Sequence, residues 1–156
     1  MIHNPKTRIM LFGTFDILHK GHLNFFKQAK RLAKNSFLIV SVARDRNVKK
    51  IKNHLPLHSE KQRLVKIRKL SIVDKVILGG LGSHLPHIIR QKPSIIALGY
   101  DQKAYTKGLK SLLLKKGLNA KIKRLKAYKP EVFKSGLLKT KFYDKKNKRI
   151  FGGARR

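Results

Sequence analysis

The chain has 156 residues, 41% of them hydrophobic, and a net charge of +32 from 39 Lys and Arg against 7 Asp and Glu. That length suits a single domain with a substantial core, and no apolar run is long enough to span a membrane. There is no cysteine, which excludes disulfides, thiolate metal ligands and a cysteine nucleophile.

The stretch from Met1 to Lys6 has no apolar h-region, so no secretory signal is expected and a cytoplasmic setting is. A strand over 8–12 opens the pattern of elements and runs into a small-residue turn. An amphipathic helix follows over about 21–33, with Phe26, Ala29 and Ala33 on one face. A second strand covers 37–42, and the basic stretch after it reads as a loop. Ser59 and Gln62 form a capping box that opens a helix burying Leu64, Ile67 and Leu70. A third strand at 75–78 leads into the glycine-rich 78–83, read as a flexible connection. Helix 85–91, strand 94–98, helix 106–116 and strand 121–125 complete the series. Leu109, Leu112 and Leu113 face inward and Gly117 stops the fourth helix. The remainder, 139–156, is a basic tail with Phe142, Tyr143 and Phe151 interleaved, expected to be disordered or to act as a flap or nucleic-acid contact.

Strands alternating with helices imply right-handed crossovers and an α/β, Rossmann-like, doubly wound parallel sheet of about five strands in one domain over 1–138. Ligands in such sheets bind at the carboxyl ends of the strands, where the strand order reverses. If the first and fourth strands are neighbours there, the turn after the first faces the loop at Gly99, Tyr100, Asp101 and Gln102.

The turn after the first strand reads Gly13-Thr14-Phe15-Asp16-Ile17-Leu18-His19-Lys20-Gly21-His22. A helix start presents unpaired N–H groups and partial positive charge, which suits a phosphate. Gly13 permits close backbone approach, and His19 and His22 can face one anion. On ligand type alone, the two histidines with Asp16 could hold a transition metal, but the phosphate reading explains more of the motif. The basic charge also points to polyanionic partners, namely nucleotides, pyrophosphate or nucleic acid. Because the lysines are spread over nearly every segment, weak RNA binding at low salt is expected rather than a dedicated interface.

The motif resembles the G-T-F-D-x-x-H-x-G-H signature of cytidylyltransferase-like nucleotidylyltransferases, with every fixed letter present. The resemblance extends over about 8–139. It implies phosphate contacts from Lys52, with Lys49 close behind, and from Arg63 near the start of the next helix. Asp74 matches a helix-end aspartate, for which a cap or ion pair is expected. Segments 95–102, 117–125, 127–129 and 133–135 are similar to archaeal FAD synthases, the FMN adenylyltransferases. The run that serves CTP in glycerol-3-phosphate cytidylyltransferases is absent from 126–135. Ile17 replaces the proline of pantetheine-phosphate adenylyltransferases.

The resemblance therefore implies AMP transfer from ATP to FMN. His19, His22, Lys52 and Arg63 would carry catalysis. Gly13, Thr14, Phe15, Asp16, Gly21, Gly99, Tyr100, Asp101 and Ser135 would bind the nucleotide. Asp16 would hold a divalent ion, Mg²⁺. Ser135, followed by Gly136 where the pattern has a second serine, keeps only half of a hydroxyl pair. Relatives are often homodimers, so a homodimer is implied. The alternatives are a cytidylyltransferase acting on glycerol 3-phosphate or a similar phosphorylated alcohol, and a non-catalytic nucleic-acid-binding protein on the same fold.

Overall fold

The computed structural model describes residues 4–134, 136–141 and 145. Strand β1 (Thr7–Gly13) is the middle of a five-stranded, all-parallel sheet, flanked by β2 (Ser36–Val42) and β4 (Ile95–Leu98). Outside these lie β3 (Lys75–Leu78) and β5 (Lys121–Arg124), giving the order β3-β2-β1-β4-β5. The order reverses between β1 and β4, as the sequence suggested.

β1 is buried on both faces, and its apolar run alternates between two cores. Ile9 and Leu11 join Leu38, Val40 and Ala97 beneath α1 (Lys20–Lys30) and α3 (Glu60–Arg68). Met10 joins Ile39, Ile96 and Leu98 beneath α4 (Leu85–Gln91) and α5 (Leu109–Lys115). Each Leu or Ile so enclosed contributes roughly 1.5–3 kcal/mol, and these two cores hold the strand ends in place.

Helix α2 (Asp45–Lys52) occupies the stretch read as a loop. Its sequence, D-R-N-V-K-K-I-K, is short and mostly charged, and only Asn47 and Val48 are buried. Tertiary capping supplies what the pattern lacks. The Glu60 carboxylate accepts from Asp45 N at 2.8 Å, and the Asp45 carboxylate accepts from Glu60 N at 3.1 Å. Arg44 also pairs with Glu60 at 3.0 Å. Lys52 is therefore the last residue of a helix, not a loop lysine.

Other expectations need smaller corrections. α5 starts at Leu109, because Gly108 turns left-handed at φ 67°, and Leu112 faces solvent with 45% of its surface exposed. Asp74 is the structural residue expected: it pairs with Lys30 and accepts from Leu38 N at 2.7 Å. The boundary placed after residue 138 cuts a helical stretch at 136–141, where Lys139 reaches Asp16. Phe142, Tyr143 and Phe151 lie outside the described residues. Among the described residues no helix is long and apolar enough to cross a membrane.

Candidate active site

The turn leaving β1 is shaped by Phe15, which adopts a left-handed φ of 52° and buries its ring. That ring lies against Gly13, where a Cβ would come within 2.5 Å of Phe15 Cζ. It also meets His22 and Phe26 edge-on, each at 5.3 Å between centroids. Helix α1 then starts on a reciprocal cap. His19 Nδ1 accepts from Gly21 N at 3.1 Å, and His22 Nδ1 accepts from His19 N at 3.4 Å. The two rings stack with centroids 3.8 Å apart.

This cap fixes the chemistry of both imidazoles. A neutral ring whose Nδ1 accepts must carry its proton on Nε2. Burial lowers the pKa of His19. Burial, followed by repulsion from His19 and Lys52, lowers that of His22 to about 3. At neutral pH the helix start therefore offers two uncharged Nε2–H donors side by side.

They line a cleft of about 540 Å³ at the carboxyl ends of β1 and β4. Gly13, Thr14 and Phe15 form one wall, with Gly21 at the helix start. Gly99, Tyr100 and Asp101 face them from the loop after β4, and Lys52 enters from the end of α2. The pKa of Lys52 is lowered by partial burial and then by Lys139, against opposing pulls from Asp16 and Asp101. Arg124 braces the opposite loop, donating from Nη1 to the carbonyls of Gly99 at 2.7 Å and Gln102 at 2.9 Å. The Gly99 N–H is taken by Gln102 Oε1, so both polar groups of that peptide position serve the loop itself.

Two expected site residues lie beneath the cleft. Arg63 is fully buried. Its guanidinium donates to the carbonyls of Thr14 at 2.6 Å, Ala43 at 2.8 Å and His58 at 3.1 Å, and pairs with Asp45 at 2.6 Å. A fork so occupied braces the turn from beneath. Asp16 is 1% exposed, and both of its oxygens are taken by donors. Oδ2 accepts from Leu57 N at 2.7 Å and from Lys139 Nζ at 2.8 Å. Oδ1 accepts from His58 N at 2.9 Å. Burial would raise its pKa, but Lys139 and the two backbone donors outweigh it and bring it to about 2. In this structure Asp16 works as an anchor, with both carboxylate oxygens engaged by protein donors. Ser135 lies outside the described residues; its neighbours Lys134 and Gly136 line the cleft.

The sequence reading did not single out Asn47, His84 or Tyr105, which also line the cleft. No local pattern marks them, because they meet only through the packing of α2, α4 and the loop after β4. Tyr128 and Phe133 fall in segments the resemblance had marked. Phe133 stacks between Tyr128 at 5.8 Å and His19 at 6.0 Å, laying the C-terminal segment over the histidine pair.

Neutral donors, backbone N–H groups and a lysine around an open cleft can hold a nucleotide's phosphates and stabilise charge on a departing pyrophosphate. That is nucleotidyltransferase chemistry. The chain belongs to the cytidylyltransferase-like family, whose profile matches residues 10–144. It is 44% identical over 119 residues to the FAD synthase of Korarchaeum cryptofilum, covering 76% of this chain and 80% of that protein. It is 38% identical over 137 residues to the FAD synthase of Thermoplasma volcanium, covering 88% and 94%. A crystal structure of a Thermoplasma volcanium protein, described as a lipopolysaccharide core biosynthesis protein, superposes with a TM-score of 0.73 at 40% identity. It covers 80% of this chain and 99% of that one.

Proposed function

We propose that this protein is an FMN adenylyltransferase, joining AMP from ATP to FMN to give FAD and pyrophosphate. The observation that carries the chemistry is the stacked His19–His22 pair, held neutral with both Nε2–H groups free of described partners. The acceptor is inferred from the FAD synthase relatives. An oxygen of the FMN phosphate attacks the α-phosphorus of ATP. A new P–O bond forms, the bond to the α,β-bridging oxygen breaks, and its electron pair leaves with pyrophosphate. The nucleophile is already an anion, so no general base is needed, and catalysis is positioning and charge stabilisation. His19 and His22 donate to the phosphates and to the developing charge. The N–H groups of the 13–15 turn bind the phosphates, Lys52 neutralises the triphosphate, and Asp101 faces the base.

The described residues supply no ready metal cage. Asp16 is saturated, and among the described residues no three His, Cys, Asp or Glu side chains group to hold an ion. We therefore take the divalent ion, Mg²⁺, to arrive as part of the nucleotide substrate, ligated by phosphate oxygens and water. The same reading puts the enzyme in the cytoplasm. Weak, salt-sensitive nucleic-acid binding follows from the +32 charge.

The test is pyrophosphate release with Mg²⁺, crossing ATP and CTP with FMN and glycerol 3-phosphate. Release with ATP and FMN alone is expected. Release with CTP and glycerol 3-phosphate would replace this reading by a cytidylyltransferase, and RNA binding at physiological salt without any release would replace it by a binding protein.

A further inference from the structure

Where the chain leaves β5, a side-chain amide takes the place of a neighbouring strand. Leu125 N still donates to Leu98 O, at 2.8 Å. One residue on, Gln28 of α1 takes over. Its Oε1 accepts from Lys126 N at 3.1 Å, and its Nε2 donates to Lys126 O at 2.9 Å. The same Nε2 donates to Asn24 Oδ1, one turn earlier in the helix, at 2.7 Å. Gln28 thus pairs with both backbone groups of Lys126, as a peptide would, and Asn24 holds the amide in that orientation.

This clamp directs the residues that follow. Gly21, Asn24 and Gln28 are spaced three and then four apart, so they share one face of α1. The segment after Lys126 runs back along that face to the helix start, where a Cβ on Gly21 would lie 3.1 Å from Phe133 Cβ. It turns at Lys129, whose φ is 44° and whose carbonyl accepts from Val132 N at 3.0 Å and Phe133 N at 2.8 Å. Tyr128, Phe133, His19 and His22 then form a run of near-parallel rings, with successive planes 12°, 19° and 24° apart. Folding does not require the clamp. Lys126 is exposed, so water can pair its N–H and C=O equally well. Water cannot fix the direction of the chain.

We propose that Gln28 is a positioning residue for the transfer step: by clamping Lys126 to α1 it sets Phe133 against His19, and through that ring the aim of the paired Nε2–H donors. This rests on the role given to the histidine pair above and deepens it. Among the described residues, the His19 ring has one hydrogen bond, from Gly21 N at 3.1 Å. A single bond leaves the tilt of the ring open, and the flat neighbours His22 and Phe133 fix it. Tilt matters because a donor stabilises developing charge only when already aimed at it, and a misplacement of about 1 Å can cost about a hundredfold in rate. Gln28 is not among the residues lining the cleft, whereas Lys126, Tyr128 and Phe133 are, so it acts through the segment it holds.

Gln28→Met keeps the side chain's length and removes its amide; Gln28→Glu keeps the acceptor for Lys126 N and loses the donor. Pyrophosphate release with ATP and FMN gives kcat and KM. Proton NMR of the histidine rings reports the setting of His19 without any substrate. Gln28→Met should lower kcat about tenfold, leave KM for ATP within about twofold, and shift the His19 ring signals as Phe133 moves. Gln28→Glu should recover part of the loss. In a His19→Ala background, Gln28→Met should cost no further residual turnover, since the ring it aims is gone. Either unshifted His19 signals or a wild-type kcat in Gln28→Met overturns the proposal. So does an equal loss in the two backgrounds, which would make Gln28 a stabilising contact only. If the wild type releases no pyrophosphate with ATP and FMN, the FMN reading falls on its own. The spectra then decide the clamp: shifted His19 signals uphold it and unshifted ones overturn it.

Discussion

Arg63 Nη1 donates to the carbonyl of Thr14 at 2.6 Å, so the turn leaving β1 hangs from a guanidinium beneath it. The same side chain holds Ala43, His58 and Asp45, which ties the ends of β1 and β2 to the start of α3. Arg63→Ala strips the donor from three carbonyls and the cationic partner from the Asp45 carboxylate. Destabilisation of about 3–5 kcal/mol is expected. Arg63→Lys should rescue little, because a single ammonium cannot span a fork's contacts. Urea melts measure both. Unchanged stability with a raised KM for ATP would return Arg63 to the phosphates.

Replacing His22 by Ala should lower kcat by about 10²–10³ while KM for ATP moves far less, because the donor acts most strongly on charge formed in the transition state. Steady-state kinetics with varied ATP decides this. A change confined to KM would make His22 a ground-state contact only.

The depressed pKa of His22 also has a consequence for stability. Unfolded, His22 takes up a proton near pH 6.5; folded, only near pH 3. Between those values the unfolded chain binds more protons, so acidification favours unfolding by about 1.4 kcal/mol per pH unit for a fully differing proton. Stability should fall as pH drops below about 6.5. His22→Gln should flatten that part of the curve. Asp16, at about 2 against 3.8, adds a second loss of the same sign lower down. Melting temperatures from pH 3 to 8 for both proteins check this, and identical slopes would disprove the His22 contribution.

Asp16 joins the motif turn, the segment before α3 and the C-terminal helical stretch through Leu57, His58 and Lys139. Asp16→Asn keeps the shape but loses the charge that pairs with Lys139. It should melt earlier, while the Mg²⁺ concentration giving half-maximal residual activity stays as in the wild type. A large rightward shift in that Mg²⁺ curve would show a metal role instead.

Two glycines of the motif are needed for space. A methyl on Gly13 presses on Phe15, whose ring is wedged between His22 and Phe26, so the push passes to the stacked histidine pair. A methyl on Gly21 would lie 2.8 Å from the His19 ring. Both Gly→Ala variants should fold and lose more kcat than ATP affinity. Wild-type turnover in either would show that the rings can move freely.

The sequence by itself determined the alternation of strands and helices, the small-residue turn after β1 and the pair of histidines at the helix start. These are local: apolar period, a capped helix start and fixed spacing are written in neighbouring residues. The family followed from the same short motif. The tertiary structure decided the roles of Arg63 and Asp16, since a charge's work depends on which backbone groups the fold brings within hydrogen-bond reach. It also decided that 45–52 is a helix, because Glu60, fifteen residues from Asp45, supplies the cap. His84 and Tyr105 reached the cleft only when α4 and the loop after β4 packed together, a juxtaposition that no spacing along the chain encodes.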